Sequence, residues 1–505
     1  MTALAVLAAA SQSWFVATNG VDGGGGGDGS ISSPFSTVRQ AMVVADYGDT
    51  IYLRGGTYRQ SINAFTDGTR LHRLDRSQGS AAKQLTIRNY GSETVIITGS
   101  DLPGAWVSTN GPTAGLGYWR TPWTNNTRQV FVNGRRLTQI GWTTPLDVYP
   151  NTTTNVNIPL VGAITVDGVS VLDQEYSHLS SPWSFYFSGS SMFICLPSEI
   201  DPNAELVEIS TRRIVNVLYP RVTIKGITFR HSATMIPNGG VPAVSIGALS
   251  TLENCTVEDC DWFGASMRDG SKMIGCTFKN NAMGGAIVWG TNMLVSGCRF
   301  LTNHYLSYDL RGEAAGMKVI GVPAYLDGST WQYNEFAYNN GEGLWFDSMS
   351  TRPGKSFLIN RNYSHDNSSC GLMLEFSTGA WFVNNLSKEN RRRALYISQS
   401  GDSRVVNNVL LAPELSESAV AIAGGIGPYE STRPRNLWLV NNVIGKDELT
   451  SGSYGTNLQV AVYGLVGACT GITNIVLNHN RYLIRGDRPS SDYFYFNNIT
   501  TTLTN

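Results

Sequence analysis

The sequence predicts an all-β protein built as a parallel β-helix, a solenoid of short strands with an N-terminal capping helix and a small β insertion. Three observations predict it: a short apolar segment that recurs through the centre of the chain, asparagines and cysteines repeating at one position of that segment, and a composition poor in charge and rich in turn residues. The segments read "CTVEDC" from Cys255, "CTFKNN" from Cys276, "CRFLTN" from Cys298, "NEFAYN" from Asn334, "NYSHDN" from Asn362 and "NLSKEN" from Asn385. A weaker copy, "ITFRHS", starts at Ile227, and later relatives begin at Asn408 and Asn442. The steps between first residues, 28, 21, 22, 36, 28, 23, 23 and 34, are too irregular for helical repeats. They suit coils of short strands joined by turns of variable length.

Each segment alternates with period two, carries β-branched or aromatic residues and is bounded by Gly, Asn or Ser. One coil cannot bury its apolar face alone, so coils stack and like residues pile on like. Asparagines at one turn position then hydrogen-bond along the stack, and Cys255, Cys276 and Cys298 at that position read as small packing residues rather than redox or metal groups. Charged residues make up 15% of the chain, well below the roughly 25% of an average domain, and 54 glycines supply turns. With 37 basic and 38 acidic residues there is no electrostatic footprint for nucleic acid or an anionic membrane, so a neutral partner is favoured. Seven cysteines in 505 residues make no disulfide framework.

Taken in order, Ala3 to Ala10 is an apolar run without the basic region of a signal peptide, read as an apolar cap or a truncated leader. No run approaches the ~20 apolar residues of a membrane span, and a secreted or cell-surface protein is expected. "DGGGGGDG" from Asp22 is a flexible loop without the Gly-Lys-Ser/Thr ending of a phosphate loop. "SPFSTVRQAMVVA" from Ser33 has an N-cap and helical periodicity, and a helix there covers the open end of the first coil. "GDTIYLRGGTYRQ" from Gly48 reads as two strands around a Gly-Gly turn. Residues 118–206 break the repeat, which divides the chain into 1–117 (cap and first coils), a β insertion over 118–206 leaning on one face, and the main helix with its tail over 207–505. The tail "YFYFNNITTTLTN" is β-prone and suited to pairing with another copy.

The candidate chemistry lies where two apolar runs end on acids, "GLWFDS" on Asp347 and "GLMLEF" on Glu375. Asp347 is 13 residues after Asn334 and Glu375 is 13 after Asn362, so the repeat stacks them in adjacent coils. The same offset brings Arg268, Trp289 and Ser398 into that column, with Ile320 filling the place in the coil of Cys298. Alternation points Leu344, Phe346, Leu372, Leu374, Leu395 and Ile397 inward, and Lys318, Trp345, Met373 and Tyr396 outward beside the column. An outward strip of aromatics, a lysine and two acids is suited to a sugar ring. Adjacent strands lie about 4.8 Å apart, which puts the carboxyls near the ~5 Å separation of retaining glycosidases and drives their ionisations apart. The bland alternative is two surface acids, one of them capping a turn, or a pair holding a structural cation. A metal held by oxygen usually takes more carboxylates than two. No cofactor is expected, and calcium is the alternative, with Glu313 or Asp309 as a third ligand from the long loop after Cys298. His304, Arg311 and Glu313 of that loop are candidate substrate contacts.

On "GLWFDS", then "GLMLEF" one coil later and "FVNNL" after it, the chain resembles the β-xylosidases of glycoside hydrolase family 120, and more loosely other right-handed parallel β-helix carbohydrate-active proteins. "PFSTVRQA…GDTIYLRGGTY" and "RQVFVNGRR" are similar in kind. The resemblance implies a right-handed helix, Asp347 as nucleophile and Glu375 as acid/base. Where that family follows its Glu with a His-Gly turn, this chain has Ser377, Thr378 and Gly379. The reading is therefore a retaining hydrolase of a neutral, xylan-type glycan, with Trp345, Trp289, Tyr396, Lys318 and Arg268 lining the groove. The alternatives are a polysaccharide lyase or uronate epimerase, and a non-catalytic surface β-helix that self-assembles.

Overall fold

The computed structural model describes residues 11–63, 83–125, 127–140, 163–166, 169–172, 181–188, 190–217, 219–234, 241–305, 315–321, 325–413, 418–424, 434–446, 458–464, 473–483 and 494–496. Among these, three long parallel sheets of 13, 12 and 12 strands run side by side, and each coil contributes one strand to each sheet. The chain is a parallel β-helix. Its registers are continuous: Thr256 pairs with Thr277, Thr277 with Arg299 and Arg299 with Glu335 in one sheet.

Two corners set the repeat. Before each ladder residue at the first corner stands one in the left-handed region: Asn254, Gly275, Gly297, Tyr333, Arg361, Asn384, Asn407 and Asn441, with φ from 50° to 65°. Asparagine and glycine tolerate that conformation, which explains their density between strands. The next side chain turns inward and joins the ladder. Asn362 Nδ2 donates to Asn385 Oδ1 at 3.0 Å and to the Trp331 carbonyl at 2.9 Å, while Asn362 Oδ1 accepts from the Asn334 amide at 3.0 Å. A second ladder of Asn281, Asn303, Asn339, Asn367 and Asn390 follows five residues on. Cys255, Cys276 and Cys298 extend the first ladder and are buried. Inside, Phe278, Phe300 and Phe336 stack at 4.9 Å, the spacing of the strands themselves.

The helix Val38–Val44 is capped by Thr37, whose side chain accepts from the Gln40 amide, and it buries Val38, Ala41 and Met42 against the first coils. Thr50–Leu53 and Gly56–Tyr58 flank the Gly-Gly turn, but in two different sheets, so the turn is a solenoid corner and not a hairpin.

The solenoid passes directly from Val95–Thr98 to Thr228–Arg230. Between them, antiparallel strands from Ser100 to Ser210 form a lateral module with its own core around Phe185, Ile194 and Leu196. These strands begin before and end after the expected 118–206, because Ser100–Asp101, Val107–Thr109 and Val207–Ser210 pair with the module and not with the coils. The module leans on the solenoid through Phe131 stacked on His231 at 3.7 Å, Arg136 paired with Asp259 at 3.0 Å, and Gln129 donating to the Tyr305 hydroxyl at 2.7 Å. Its buried Glu208 is held by Arg59 at 2.8 Å and Arg230 at 3.2 Å. Among the described residues no helix is long and apolar enough to cross a membrane. The apolar run Ala3 to Ala10 and the tail from 497 lie outside the described residues, while Phe494–Phe496 adds a last strand to the third sheet.

Candidate active site

The third sheet carries the acids. Its strands Ala315–Ile320, Glu342–Asp347, Cys370–Glu375 and Arg393–Ser398 are in register, with Ile320 opposite Asp347, Asp347 opposite Glu375, and Glu375 opposite Ser398. Val288 pairs with Val319 and Met267 with Val288, so Trp289 and Arg268 continue the column by one and two further rungs. Each acid ends its strand immediately before a left-handed corner, Ser348 at φ 58° after Asp347 and Phe376 at φ 46° after Glu375. The corner turns the chain away and leaves both carboxyls on the outer wall.

Leu344, Phe346, Leu372, Leu374, Leu395 and Ile397 fill the solenoid core, as alternation requires. Their neighbours point outward but do not stand in solvent. Trp345 and Met373 pack with Ala315 and the half-buried Tyr396 into a separate small cluster, and Lys318 is 1% exposed. Trp345 and Lys318, expected to line the groove, are both buried: Trp345 belongs to this cluster outside the solenoid core, and Lys318 lies beside it. Lys318 can be buried because its charge is matched. Its Nζ lies 3.1 Å from Asp347 Oδ2 and 3.7 Å from the centre of the Trp345 ring. Ser348 Oγ donates to Asp347 Oδ1 at 2.9 Å.

Glu375 behaves differently from its neighbour. Burial, and then the negative charge on Asp347, push its carboxyl up to about 7; Lys318 opposes the shift, Glu342 adds to it. The buried Trp345 indole N–H faces Glu375 and favours its charged form, short of full hydrogen-bond geometry. One acid is thus held in an ion pair while the other titrates near neutrality, the division that general acid catalysis needs.

Glu342 was not anticipated. Counting by twos puts it on the inner face with Leu344, but Gly343 takes that inner place. A Cβ on Gly343 would lie 2.5 Å from the Gly371 carbonyl and 2.9 Å from Asn367 Nδ2. Glu342 therefore falls outside, where Ser369 donates to its Oε1 at 2.7 Å and its Oε2 is buried without a hydrogen-bond partner. Burial raises its carboxyl above the usual range, with Arg392 and Lys318 opposing. The signal was in the sequence: Gly264, Gly285, Gly316, Gly343 and Gly371 occupy one place in successive strands.

Among the other candidates, Arg268 is exposed and stacks over Trp289 at 5.0 Å, and Trp289 is half-buried. His304 is not brought to the acids. It is fully buried at the second corner, with Nδ1 against the Asn340 carbonyl, at the opposite end of the strand from Asp347. Arg311, Glu313 and Asp309 lie outside the described residues. Among the described residues no three His, Cys, Asp or Glu gather as metal ligands.

The family model described as the right handed beta helix region matches residues 240–410 and 311–459, so the fold is the right-handed parallel β-helix. An 83-residue stretch, 16% of the chain, is 37% identical to pectate lyase PEL9 of Emericella nidulans and spans 18% of that protein. A 91-residue stretch is 30% identical to the uncharacterized protein YwoF of Bacillus subtilis, so the chain spans under a fifth of either curated relative it matches. Among solved structures, XylC in complex with xylose superposes with a TM-score of 0.53 at 16% identity, covering 89% of this chain and 86% of that one. The A-module of the Azotobacter vinelandii mannuronan C-5 epimerase AlgE4 superposes with a TM-score of 0.50 at 10% identity, covering 90% and 91%. These likenesses are of fold.

Proposed function

We propose that the chain is a retaining glycoside hydrolase acting outside the cell on a neutral, xylan-type glycan, with Asp347 as nucleophile and Glu375 as acid and then base. The observation that carries this reading is the in-register pair in which Asp347 is ion-paired to Lys318 while Glu375 is pushed up to about 7. Protonated Glu375 gives its proton to the departing glycosidic oxygen as Asp347 attacks the anomeric carbon, forming a glycosyl ester. The Glu375 carboxylate then takes a proton from water, whose oxygen displaces Asp347. Lys318 orients the nucleophile, and its burial beside Trp345 keeps that contact dry. The fold shared with XylC, whose structure holds xylose, supports a sugar as the ligand class.

Removing the acid tests the reading. Glu375→Gln should lower turnover of an unactivated xyloside by about 100-fold or more, with a smaller loss in the first step for an activated aryl xyloside and rescue by azide. Unchanged turnover would remove Glu375 from catalysis. The first-formed product should keep its anomeric configuration when followed by proton NMR.

A second reading, a uronate lyase or epimerase, is favoured by the short similarity to a pectate lyase and by a buried lysine beside the acid pair. Incubation with pectate, alginate and xylan separates the two: unsaturated ends, or the C-5 epimer, belong to this reading, whereas new reducing ends without any unsaturated ends belong to hydrolysis.

A further inference from the structure

We propose that Arg268 and Trp289 form a distinct subsite for a carboxylate-bearing sugar, so that the xylan-type chain, neutral where it meets the acid pair, is bound best when it carries a uronate substituent two to three rungs away. This rests on the hydrolase reading. The two side chains continue the column of Asp347 toward the N-terminus. Trp289 stands two strand steps from Asp347, about 10 Å, with Ile320 on the rung between them, a spacing of the order of one sugar ring, whose apolar face suits the indole. Arg268 lies one step further, about 14 Å from Asp347.

The pair is built to hold its shape. Asp269 Oδ1 accepts from the Thr291 amide at 2.7 Å and from Thr291 Oγ1 at 3.2 Å, tying together the turns that carry Arg268 and Trp289. Gly290, at φ 136°, packs against that turn so closely that a Cβ would lie 2.7 Å from the Asp269 amide nitrogen. The Oδ1 oxygen of Asp269, the residue next to Arg268 in the chain, is thereby committed to the turn. Among the described residues Arg268 has no carboxylate within ion-pair distance, and its guanidinium is stacked at 5.0 Å over Trp289. The indole holds the guanidinium on one side, and its N–H groups can serve a planar anion. At the reacting position a uronate would meet two carboxyls and a lysine already paired with one of them, whereas at Arg268 it meets its complement. An acidic ring at the distal place and a neutral ring at the acids satisfy both.

Calorimetric titration of the Glu375→Gln protein, in which turnover is suppressed, tests this with two probes: linear xylotetraose and the same oligosaccharide carrying one glucuronate branch. The branched probe should bind about tenfold more tightly, as one charge-assisted pair provides, and the advantage should shrink as salt is raised. Adding Arg268→Gln should erase the difference between probes, and Arg268→Lys should restore part of it. Equal affinity for the two probes, or a preference that survives Arg268→Gln, overturns the subsite. Binding is read without turnover, so failure of the full-length protein to cleave a neutral aryl xyloside would count against the hydrolase reading alone.

Discussion

At Glu375 a carboxyl has been taken out of water and set beside another negative charge, and both effects favour the proton. Its folded-state value of about 7 exceeds the ordinary 4.5. The stability this proton contributes is fully present below about pH 4.5 and is lost as pH rises through 7, where the fold must hold a buried carboxylate. The difference amounts to roughly 3 kcal/mol at most. Glutamine has no such charge, so the stability of Glu375→Gln relative to the wild type should rise between about pH 4.5 and pH 7 in urea unfolding and then stay constant. A gap that does not change with pH would mean that Glu375 is better solvated than its burial indicates. Pairing of Asp347 with Glu375 was legible in the sequence because both are fixed by the same count from a ladder asparagine. The burial of Lys318 was not, since alternation gives a side chain's direction but not what packs over it. Glu342 is not legible in the sequence, because a period of two assumes a regular strand and Gly343 breaks it.

Strands and corners supply the precision that puts those side chains together. Asn362 gives two hydrogen bonds from its amide and accepts two, all among buried groups. Asn362→Ala should cost about 3 kcal/mol, because the amide of Asn334 and the carbonyl of Trp331 are left unsatisfied in the interior. Chemical denaturation reads this directly, and a loss under 1 kcal/mol would show that the ladder is incidental. Gly343→Ala should act on function as well. Its methyl meets the backbone of the next coil, so the strand ending in Asp347 must shift relative to the strand ending in Glu375. Activity should fall by at least tenfold in a protein that remains folded by circular dichroism. The ladders were legible as repeated asparagines. The glycine column was present in the same lines but has no meaning until the corner is seen to crowd it.

For the molecule as a whole, the lateral module is joined to the solenoid by a buried ionic centre. Glu208 is fully buried, which by itself raises its carboxyl, yet His231, then Arg59 and Arg230, hold it well below the usual range. Glu208→Ala removes the partner of two arginines and should destabilise the junction by about 3–5 kcal/mol. Limited proteolysis should then cut the module's connections first and leave the coils intact; uniform degradation would show that the two bodies unfold as one. The insertion was legible as a break in the repeat, but its ends were not. Strands such as Val207–Ser210 have the alternation of coil strands, and only their antiparallel partners assign them to the module.

The buried cysteines have a use in measurement. Cys255 and Cys260, Cys276, and Cys298 are buried in three successive coils, and Cys370 in a later one. A thiol reagent in the folded protein therefore reports local opening, coil by coil, and mass mapping of the modified positions over time gives the order in which the solenoid unzips.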